Sequence, residues 1–172
     1  MKLHVLTAVS RPGNLGRVAE SLAAAAAVTS KIEVCWHWRF DLERTQIGGQ
    51  ALKNAMLDEI TDGWVWCLDD DTLAHEDVLR AFEVGPHHDA FILSQRRVDG
   101  RMLVADPSNV RIGEIDIGQA MLRREWIGDR RIPIDYNGDG MFLREVLNGA
   151  RVVWVPEPFS LHNAISQVVV SV

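Results

Sequence analysis

The chain has 172 residues and a formal net charge of −6, with 47% hydrophobic and 24% charged residues. A chain of this length and composition can bury its own core, which is typical of one globular domain over residues 1–172. The acidic balance argues against a nucleic-acid partner, because such a partner requires a basic surface. No apolar run approaches the ~20 residues of a membrane-crossing helix, so no transmembrane segment is expected.

The first half of the chain predicts three strand–helix units. Apolar runs predict buried strands, and periodic apolar positions after each run predict helices. The strands are expected at residues 3–9, 32–38 and 64–68, and the helices at residues 17–27, 51–60 and 75–82. This alternation is typical of an α/β fold, in which helices flank a mixed, mostly parallel sheet.

The second half is less regular. A strand at residues 90–94 and a hairpin over residues 97–104 are followed by a loop-rich stretch at 107–118 and a short apolar run at 119–122. A glycine-rich loop at residues 135–140 leads into a helix that ends near Gly149. We expect a last strand at residues 152–155, ended by Pro156 and Pro158, since proline cannot donate to a sheet ladder.

Two cysteines indicate a reducing compartment. Cys35 and Cys67 each lie inside an apolar segment. Buried thiols are more common there than a disulfide framework. We therefore expect both thiols to be buried and reduced, and the protein to be cytoplasmic.

Three consecutive aspartates, Asp69, Asp70 and Asp71, close the third apolar strand. Strand ends of an α/β sheet face the ligand crevice, and three carboxylates there favour a hard divalent cation shared with substrate phosphates. In an extended chain Asp69 and Asp71 would point to one side and Asp70 to the other, which favours Asp69 and Asp71 as metal ligands. A solvated acidic turn that caps the next helix is the alternative.

Four segments resemble motifs of the GT-A-type glycosyltransferases, in particular family 2. They are Thr-Ala-Val-Ser-Arg-Pro at 7–12, Gly-Gly-Gln-Ala-Leu-Lys-Asn-Ala at 48–55, Trp-Cys-Leu-Asp-Asp-Asp-Thr at 66–72 and Tyr-Asn-Gly-Asp-Gly-Met-Phe-Leu at 136–143. Residues 118–125 also resemble the family's link between its two acidic sites. The segments follow the family's order and extend over about residues 3–162.

Two positions depart from the family pattern. Lys53 stands where arginine is usual, and Gly138 replaces the glutamate that commonly precedes the catalytic aspartate. We expect a compact member without the C-terminal extension that often builds the acceptor site. Residues 1–95 are then the half that binds the nucleotide sugar, and residues 96–172 are the acceptor and catalytic half.

The resemblance implies a donor site in the first half of the chain. Ser10 and Arg11 belong to the opening nucleotide-binding loop, where backbone amides suit contacts to a base or to phosphates. Asp41 lies where relatives hold the uracil or ribose, and Lys53 and Asn54 belong to the second motif. Among the aspartates, Asp69 and Asp70 are further candidates for contacts to the nucleotide.

The resemblance also implies a metal and a base. Mn²⁺ or Mg²⁺ would neutralise the leaving diphosphate, held by Asp71, with Asp69 either on the metal or on the ribose. His162 is a further candidate ligand, with an ordinary surface histidine as the alternative. Asp139 is the candidate general base that deprotonates the acceptor hydroxyl. A helix N-cap is its alternative role, and Asp135 and Asp116 are rival bases.

The sequence therefore predicts a metal-dependent glycosyltransferase that moves a sugar from a nucleotide diphosphate sugar to a carbohydrate or other hydroxyl acceptor. A UDP-sugar is the expected donor, with GDP- and dTDP-linked sugars as alternatives, and the resemblance favours inversion. A sugar-nucleotide-binding domain without turnover is the main alternative function. A haloacid-dehalogenase-type phosphatase fits less well, because Thr72 follows Asp71 without the gap of that motif.

Overall fold

A computed structural model describes residues 1–41, 49–84 and 87–165. Eight strands in this part of the chain form one sheet. They are β1 (Lys2–Val9), β2 (Glu33–Phe40), β3 (Trp64–Cys67), β4 (Leu73–Ala74), β5 (Ala90–Arg97), β6 (Met102–Leu103), β7 (Ala120–Arg123) and β8 (Val152–His162).

Four α-helices within the described ranges connect or flank these strands. They are α1 (Leu15–Ala27), α2 (Gln50–Asp58), α3 (Arg124–Ile127) and α4 (Gly138–Val146). Short 3₁₀ segments lie at Pro12–Asn14, Glu76–Val84, Pro107–Asn109 and Ile117–Gln119. The predicted helices at residues 17–27 and 51–60 are thus confirmed as α1 and α2, with small shifts of their ends.

The strand order is β2-β1-β3-β7-β5-β8-β4, and β6 pairs with β5. β1 runs parallel to β2 and β3, and β5 runs parallel to β8. β7 lies between β3 and β5 and is antiparallel to both. The prediction of an α/β domain with a mixed sheet is therefore confirmed, and the predicted hairpin over 97–104 is present as the antiparallel β5–β6 pair.

The two faces of the sheet carry separate hydrophobic clusters. One face packs against α1 and the 3₁₀ segment Glu76–Val84, and it includes Trp64 and Trp66. The other face packs against α2 and α4, and it includes Leu6 and Phe142. Two layers of helical structure around one sheet are the usual way in which α/β domains bury both sheet faces.

The segment predicted as a helix at residues 75–82 is a 3₁₀ helix over Glu76–Val84. Val78, Leu79 and Ala81 are buried there against the sheet. Periods of 3.0 and 3.6 residues place the same few side chains on the buried face of so short a segment. The apolar pattern therefore predicts the buried face without distinguishing the two helix types.

The prediction that Pro156 and Pro158 end the last strand is wrong. β8 continues to His162, because the pairing with β5 moves from Leu93–Val155 directly to Ser94–Pro158 and shifts again before Gln95–Ser160. Pro156 lies in the first of these irregularities and has no pairing position on β5. Its missing N–H therefore interrupts no ladder bond there, as at other β-bulges.

Only one of the two cysteines lies where the sequence predicts it. Cys67 is buried, and burial raises the pKa of its thiol to about 12. Cys35 is half-buried on β2, so the prediction of burial is wrong for this residue. Both are free thiols.

The helices of the described residues are also too short or too polar for a membrane-crossing segment.

Substitution of Gly138 tests the packing of α4. A Cβ atom at Gly138 would lie 2.1 Å from the carbonyl oxygen of Pro133, so the backbone has to move. We expect Gly138→Ala to lower the free energy of unfolding by about 1–3 kcal/mol, as measured by urea denaturation. Gly16→Ala is the control, because Gly16 lies in α1 and the new Cβ would meet no atom within 4 Å beyond its chain neighbours and the backbone of its own helix. That variant should gain about 0.5–1 kcal/mol, and a loss of similar size in both variants would contradict the prediction.

Candidate functional site

The candidate site lies where several chain segments end at one edge of the sheet. β1 and β3 are parallel, so the loop after Val9 and the turn after Cys67 emerge side by side. Asp41 follows β2 at the same edge, with its backbone N–H donating to the carbonyl of Val9 at 2.8 Å. This edge is where ligands bind in open α/β sheets.

Arg11 neutralises two of the three aspartates. Its Nε donates to Asp70 Oδ1 at 2.9 Å, and its Nη1 lies 2.7 Å from Asp71 Oδ2. Asp70 also accepts hydrogen bonds from the backbone N–H groups of Ser10 at 2.7 Å and Arg11 at 2.6 Å. These backbone amides of the opening loop were predicted to contact a base or phosphates. In the structure they instead donate hydrogen bonds to Asp70.

The side chains of the three aspartates do not point to alternate sides of the chain, although the sequence predicts that they do. Asp70 and Asp71 share Arg11, whereas Asp69 faces a different partner. The reason is local, because residues 69–72 form a turn in which the N–H of Thr72 donates to the carbonyl of Asp69 at 3.1 Å. The period of two holds only for extended chain, so it fails at this turn.

Lys53 is the partner of Asp69. Its Nζ lies 2.8 Å from Asp69 Oδ1, and the side chain of Lys53 is only 2% exposed. Burial opposes the charge on Lys53, but the carboxylate outweighs it and raises the pKa of Lys53 above its ordinary value. In turn, Lys53 overcomes the burial of Asp69 and lowers the pKa of that carboxyl. Lys53 therefore binds Asp69 from the buried side of α2, and its burial argues against the predicted contact with the nucleotide.

Asn54, the other predicted donor contact on α2, supports a loop. Its side-chain amide donates to the carbonyl of Ile132 at 2.8 Å, and its Oδ1 accepts from the N–H of Ile132 at 2.9 Å. Both hydrogen-bonding ends of the side chain are therefore occupied by the segment that leads to α4. Gly48, which opens the same sequence motif, lies outside the described residues.

Asp71 and His162 converge on Thr72. The hydroxyl of Thr72 lies 3.4 Å from Asp71 Oδ1 and 3.4 Å from His162 Nδ1. Within the described part of the chain, no three His, Cys, Asp or Glu side chains form a metal-binding group. Two protein ligands nevertheless fit Mn²⁺ or Mg²⁺ at a site that substrate phosphates complete. The carboxylate and imidazole of this pair are a suitable donor set.

Asp139 lies in the first turn of α4, and Asn137 rather than Asp139 is the N-cap residue. The Oδ1 atom of Asp139 is buried and has no hydrogen-bond partner among the described residues. Burial raises the pKa of Asp139, although the charge of Lys53 acts in the opposite direction. Asp135, the nearer rival base, is exposed and accepts a hydrogen bond from the N–H of Asn137 at 2.8 Å.

Asp139, Asp116 and His162 line one cleft of about 250 Å³. Asp116 accepts a hydrogen bond from the N–H of Gly118 at 2.6 Å, in a capping box with Gln119. Burial, together with the charges of Asp69 and Asp139, raises the pKa of Asp116 to about 6. Asp116 is therefore a stronger alternative to Asp139 as the general base than its position in the sequence indicates.

Several residues of this cleft are not among the site residues predicted from the sequence. Arg97 and Tyr136 line it beside Asp139, and Tyr136 is 86% exposed. Arg97 ends β5, a strand that the apolar pattern stops three residues earlier at Ser94. Residues 94–97 are Ser-Gln-Arg-Arg, and a run of polar residues at a strand end resembles a loop.

Comparison with known proteins was made for the sequence and for the structure. No protein-family model matches the chain, and no curated protein is significantly similar to it. In contrast, solved structures share its fold. S. aureus TarS is 16% identical with a TM-score of 0.72, over 94% of this chain and 36% of the TarS chain.

Two further structures were solved with bound ligands. TarS 1–349 in complex with UDP-GlcNAc is 16% identical with a TM-score of 0.71, over 94% of this chain and 58% of that chain. A mutant of the Drosophila β-1,4-galactosyltransferase 7, in complex with manganese, UDP-Gal and xylobiose, is 16% identical with a TM-score of 0.58. That match covers 91% of this chain and 65% of the galactosyltransferase chain.

These neighbours are GT-A-type glycosyltransferases. The chain has the GT-A fold. The resemblance found in the sequence is therefore confirmed at the level of the fold. This GT-A chain spans 36% to 65% of the length of the three neighbouring chains.

Stability measurements can test how much the Lys53–Asp69 ion pair contributes to the free energy of unfolding. We expect Lys53→Met to lower the free energy of unfolding at pH 7 by about 1–3 kcal/mol, because it leaves the partly exposed carboxylate of Asp69 without its buried partner. The double variant Lys53→Met/Asp69→Asn should recover most of that loss. Arg39→Met, which breaks the exposed Arg39–Glu59 pair, should cost less than about 1 kcal/mol. Equal losses in the single and double variants would show that Lys53 stabilises the fold without Asp69.

The raised pKa of Asp116 predicts a pH dependence of stability. The carboxyl titrates near its ordinary value of 3.8 in the unfolded chain and at about 6 in the folded GT-A chain. Between these values the folded state binds more protons, so the contribution of Asp116 to stability falls as the pH rises from about 4 to about 6. Asp116→Asn keeps the acceptor for Gly118 and should gain stability relative to the wild type over this interval. Parallel pH profiles of the melting temperature for the two proteins would contradict the prediction.

Proposed function

We propose that the protein is a metal-dependent glycosyltransferase that acts on a nucleotide diphosphate sugar. The observation that carries this proposal is the cleft in which Asp139 and His162 face one space, at the sheet edge that also holds the three aspartates. A buried carboxylate with a raised pKa supplies a base, and the Asp71–His162 pair supplies a place for a cation. These are the two groups that transfer from a diphosphate leaving group needs.

The donor is proposed to lie over the first half of the chain, in residues 1–95. Ser10, Arg11 and Asp41 are at the ends of β1 and β2, where they can reach a nucleoside. Asp70 then acts indirectly, because its carboxylate fixes the loop of Ser10 and Arg11. Neighbouring structures contain UDP, UDP-GlcNAc and UDP-Gal, which supports a UDP-sugar as the donor.

Mn²⁺ or Mg²⁺ is proposed to be held by Asp71 and His162, with phosphate oxygens of the donor as further ligands. Asp69 is a third candidate, since its side chain is 34% exposed even though one oxygen binds Lys53. When bound, the ion offsets negative charge on the diphosphate. Manganese in the galactosyltransferase complex supports this choice.

Asp139 is proposed to accept the proton of the acceptor hydroxyl. The acceptor oxygen then forms the bond to the anomeric carbon as the bond from that carbon to the β-phosphate oxygen breaks, and the electron pair of the broken bond leaves with the nucleoside diphosphate. A base opposite the leaving group gives inversion. The desolvated carboxylate of Asp139 suits this role, because a raised pKa makes a carboxylate a stronger base.

The base can be tested by matched substitutions at Asp139, in the first turn of α4, and at Asp135, just before that helix. Asp139→Asn should lower the rate of sugar transfer by a factor of about 10² or more, while the affinity for UDP measured by calorimetry changes less than about twofold, because Asp139 does not bind the nucleotide. Asp135→Asn is the control, because Asp135 is exposed four residues earlier, and it should keep the rate. A full rate in Asp139→Asn would exclude Asp139 as the base and leave Asp116 as the alternative.

The metal site is tested by titrating UDP into the wild type and Asp71→Asn, with and without Mn²⁺. We expect Mn²⁺ to strengthen UDP binding in the wild type and to have little effect in the variant. No binding of UDP, GDP or dTDP to the wild type would contradict the proposed function. Metal-dependent binding without transfer to any acceptor would favour a sugar-nucleotide-binding domain.

A further inference from the structure

A row of polar side chains crosses from β5 to β8 beneath the cleft. Gln95 pairs in register with Ser160, and Arg97 pairs with His162. Alternate residues of a strand share one face, and partners on adjacent strands point to the same side. The four side chains therefore form one polar strip on a single face of the sheet.

Several atoms of this strip lack hydrogen-bond partners within the described part of the chain. They are both polar atoms of the Gln95 amide, the hydroxyl of Ser160 and Nε of Arg97, all of them buried. The carboxylate of Asp99 is close to Arg97, and its Oδ2 lies 3.8 Å from Nε. That separation is too long for a hydrogen bond. Because buried polar atoms are normally satisfied, a strip with this many open positions is suited to a polar ligand.

The outer end of the strip opens into the cleft. Arg97 and His162 both line it, together with Asp116 and Asp139. The side chain of Arg97 is 37% exposed, so its guanidinium can reach a bound molecule. The cleft thus has a cationic group beside His162 and carboxylates elsewhere on its wall.

Arg11, the other arginine near this site, is not available in the same way. It lies against Asp70 and Asp71, and those carboxylates raise the pKa of its guanidinium against the effect of burial. Among the described residues that line the cleft, Arg97 is the arginine. An anionic group that enters beside His162 would therefore meet Arg97.

We propose that Arg97 binds the β-phosphate of the nucleotide diphosphate sugar. This inference rests on the proposed transferase function. When the bond between the anomeric carbon and the β-phosphate oxygen breaks, the electron pair stays on that oxygen and the departing nucleoside diphosphate gains one negative charge. A guanidinium can donate two parallel hydrogen bonds to phosphate oxygens. Arg97 thereby stabilises the leaving group from the side where β5 meets β8.

The experiment compares the binding of UDP and UMP, which differ by the β-phosphate. Calorimetric titrations in Mn²⁺ and in EDTA are made for the wild type, Arg97→Gln and Arg97→Lys. Arg101→Gln is the matched control, because Arg101 lies 3.6 Å from the same Asp99 and its side chain is 81% exposed. Thermal melting of each variant checks that it is folded.

We expect Arg97→Gln to weaken UDP binding roughly 10- to 100-fold, the usual range for a lost hydrogen bond to a charged group. UMP binding should change less than about twofold in the same variant. Arg97→Lys keeps the charge without the planar fork, so its loss for UDP should be smaller than that of Arg97→Gln. Arg101→Gln should bind both nucleotides like the wild type.

Two results would overturn the inference without touching the proposed function. One is wild-type affinity for UDP in Arg97→Gln, and the other is an equal loss for UDP and UMP, which would place Arg97 away from the β-phosphate. If Arg97→Gln does not fold, Arg97→Lys decides between the same two results. A wild type that binds neither UDP nor UMP, nor the guanine and thymine diphosphates, would instead contradict the proposed function.

Discussion

Two cations of the protein itself hold the three aspartates that follow β3. Arg11 contacts both Asp70 and Asp71, and Lys53 contacts Asp69 from the buried side of its helix. Three carboxylates within one turn would otherwise repel one another at low effective dielectric. Because Arg11 comes from the loop after β1 and Lys53 comes from α2, the same contacts fix that loop and that helix against the end of β3. The same ion pairs therefore both neutralise the aspartates and fix the arrangement of the sheet edge.

Asp69, Asp116 and Asp139, three of the carboxylates near this edge, have pKa values shifted in opposite directions. Asp69 is ion-paired, and the ammonium of Lys53 lowers its pKa. Asp116 and Asp139 are desolvated without such a partner in contact, and burial raises the pKa of both. Environments that separate the pKa values of neighbouring acids assign them different chemical roles. One carboxylate is held in its ionised form by its partner, while burial shifts the other two toward the protonated form.

The sequence was sufficient for much of the fold and for several of the candidate residues that the structure brings to one edge of the sheet. Long apolar runs predicted the strands through Cys67, and the order of the motifs predicted the GT-A architecture. The failures share a physical cause, which is contact between residues distant in the chain. The periodicity of α2 does not reveal that Lys53 is buried, since the reason is a carboxylate 16 positions away. The turn at residues 69–72 and the continuation of β8 beyond Pro158 depend likewise on partners that local patterns do not contain.

Because β8 pairs irregularly with β5, the number of residues around Pro156 decides which residue of β8 lies beside Arg97. Eleven residues of β8 run beside the eight residues of β5. If the register of Ala90 and Val152 continued without a shift, Phe159 would stand opposite Arg97 in place of His162. The extra residues around Pro156 therefore select an imidazole over a phenyl ring at this position. An insertion or deletion in this short segment would therefore change which residue of β8 stands beside Arg97. The cleft would change in this way even if no side chain that lines it were substituted. A comparison of aligned residues alone would miss such a change.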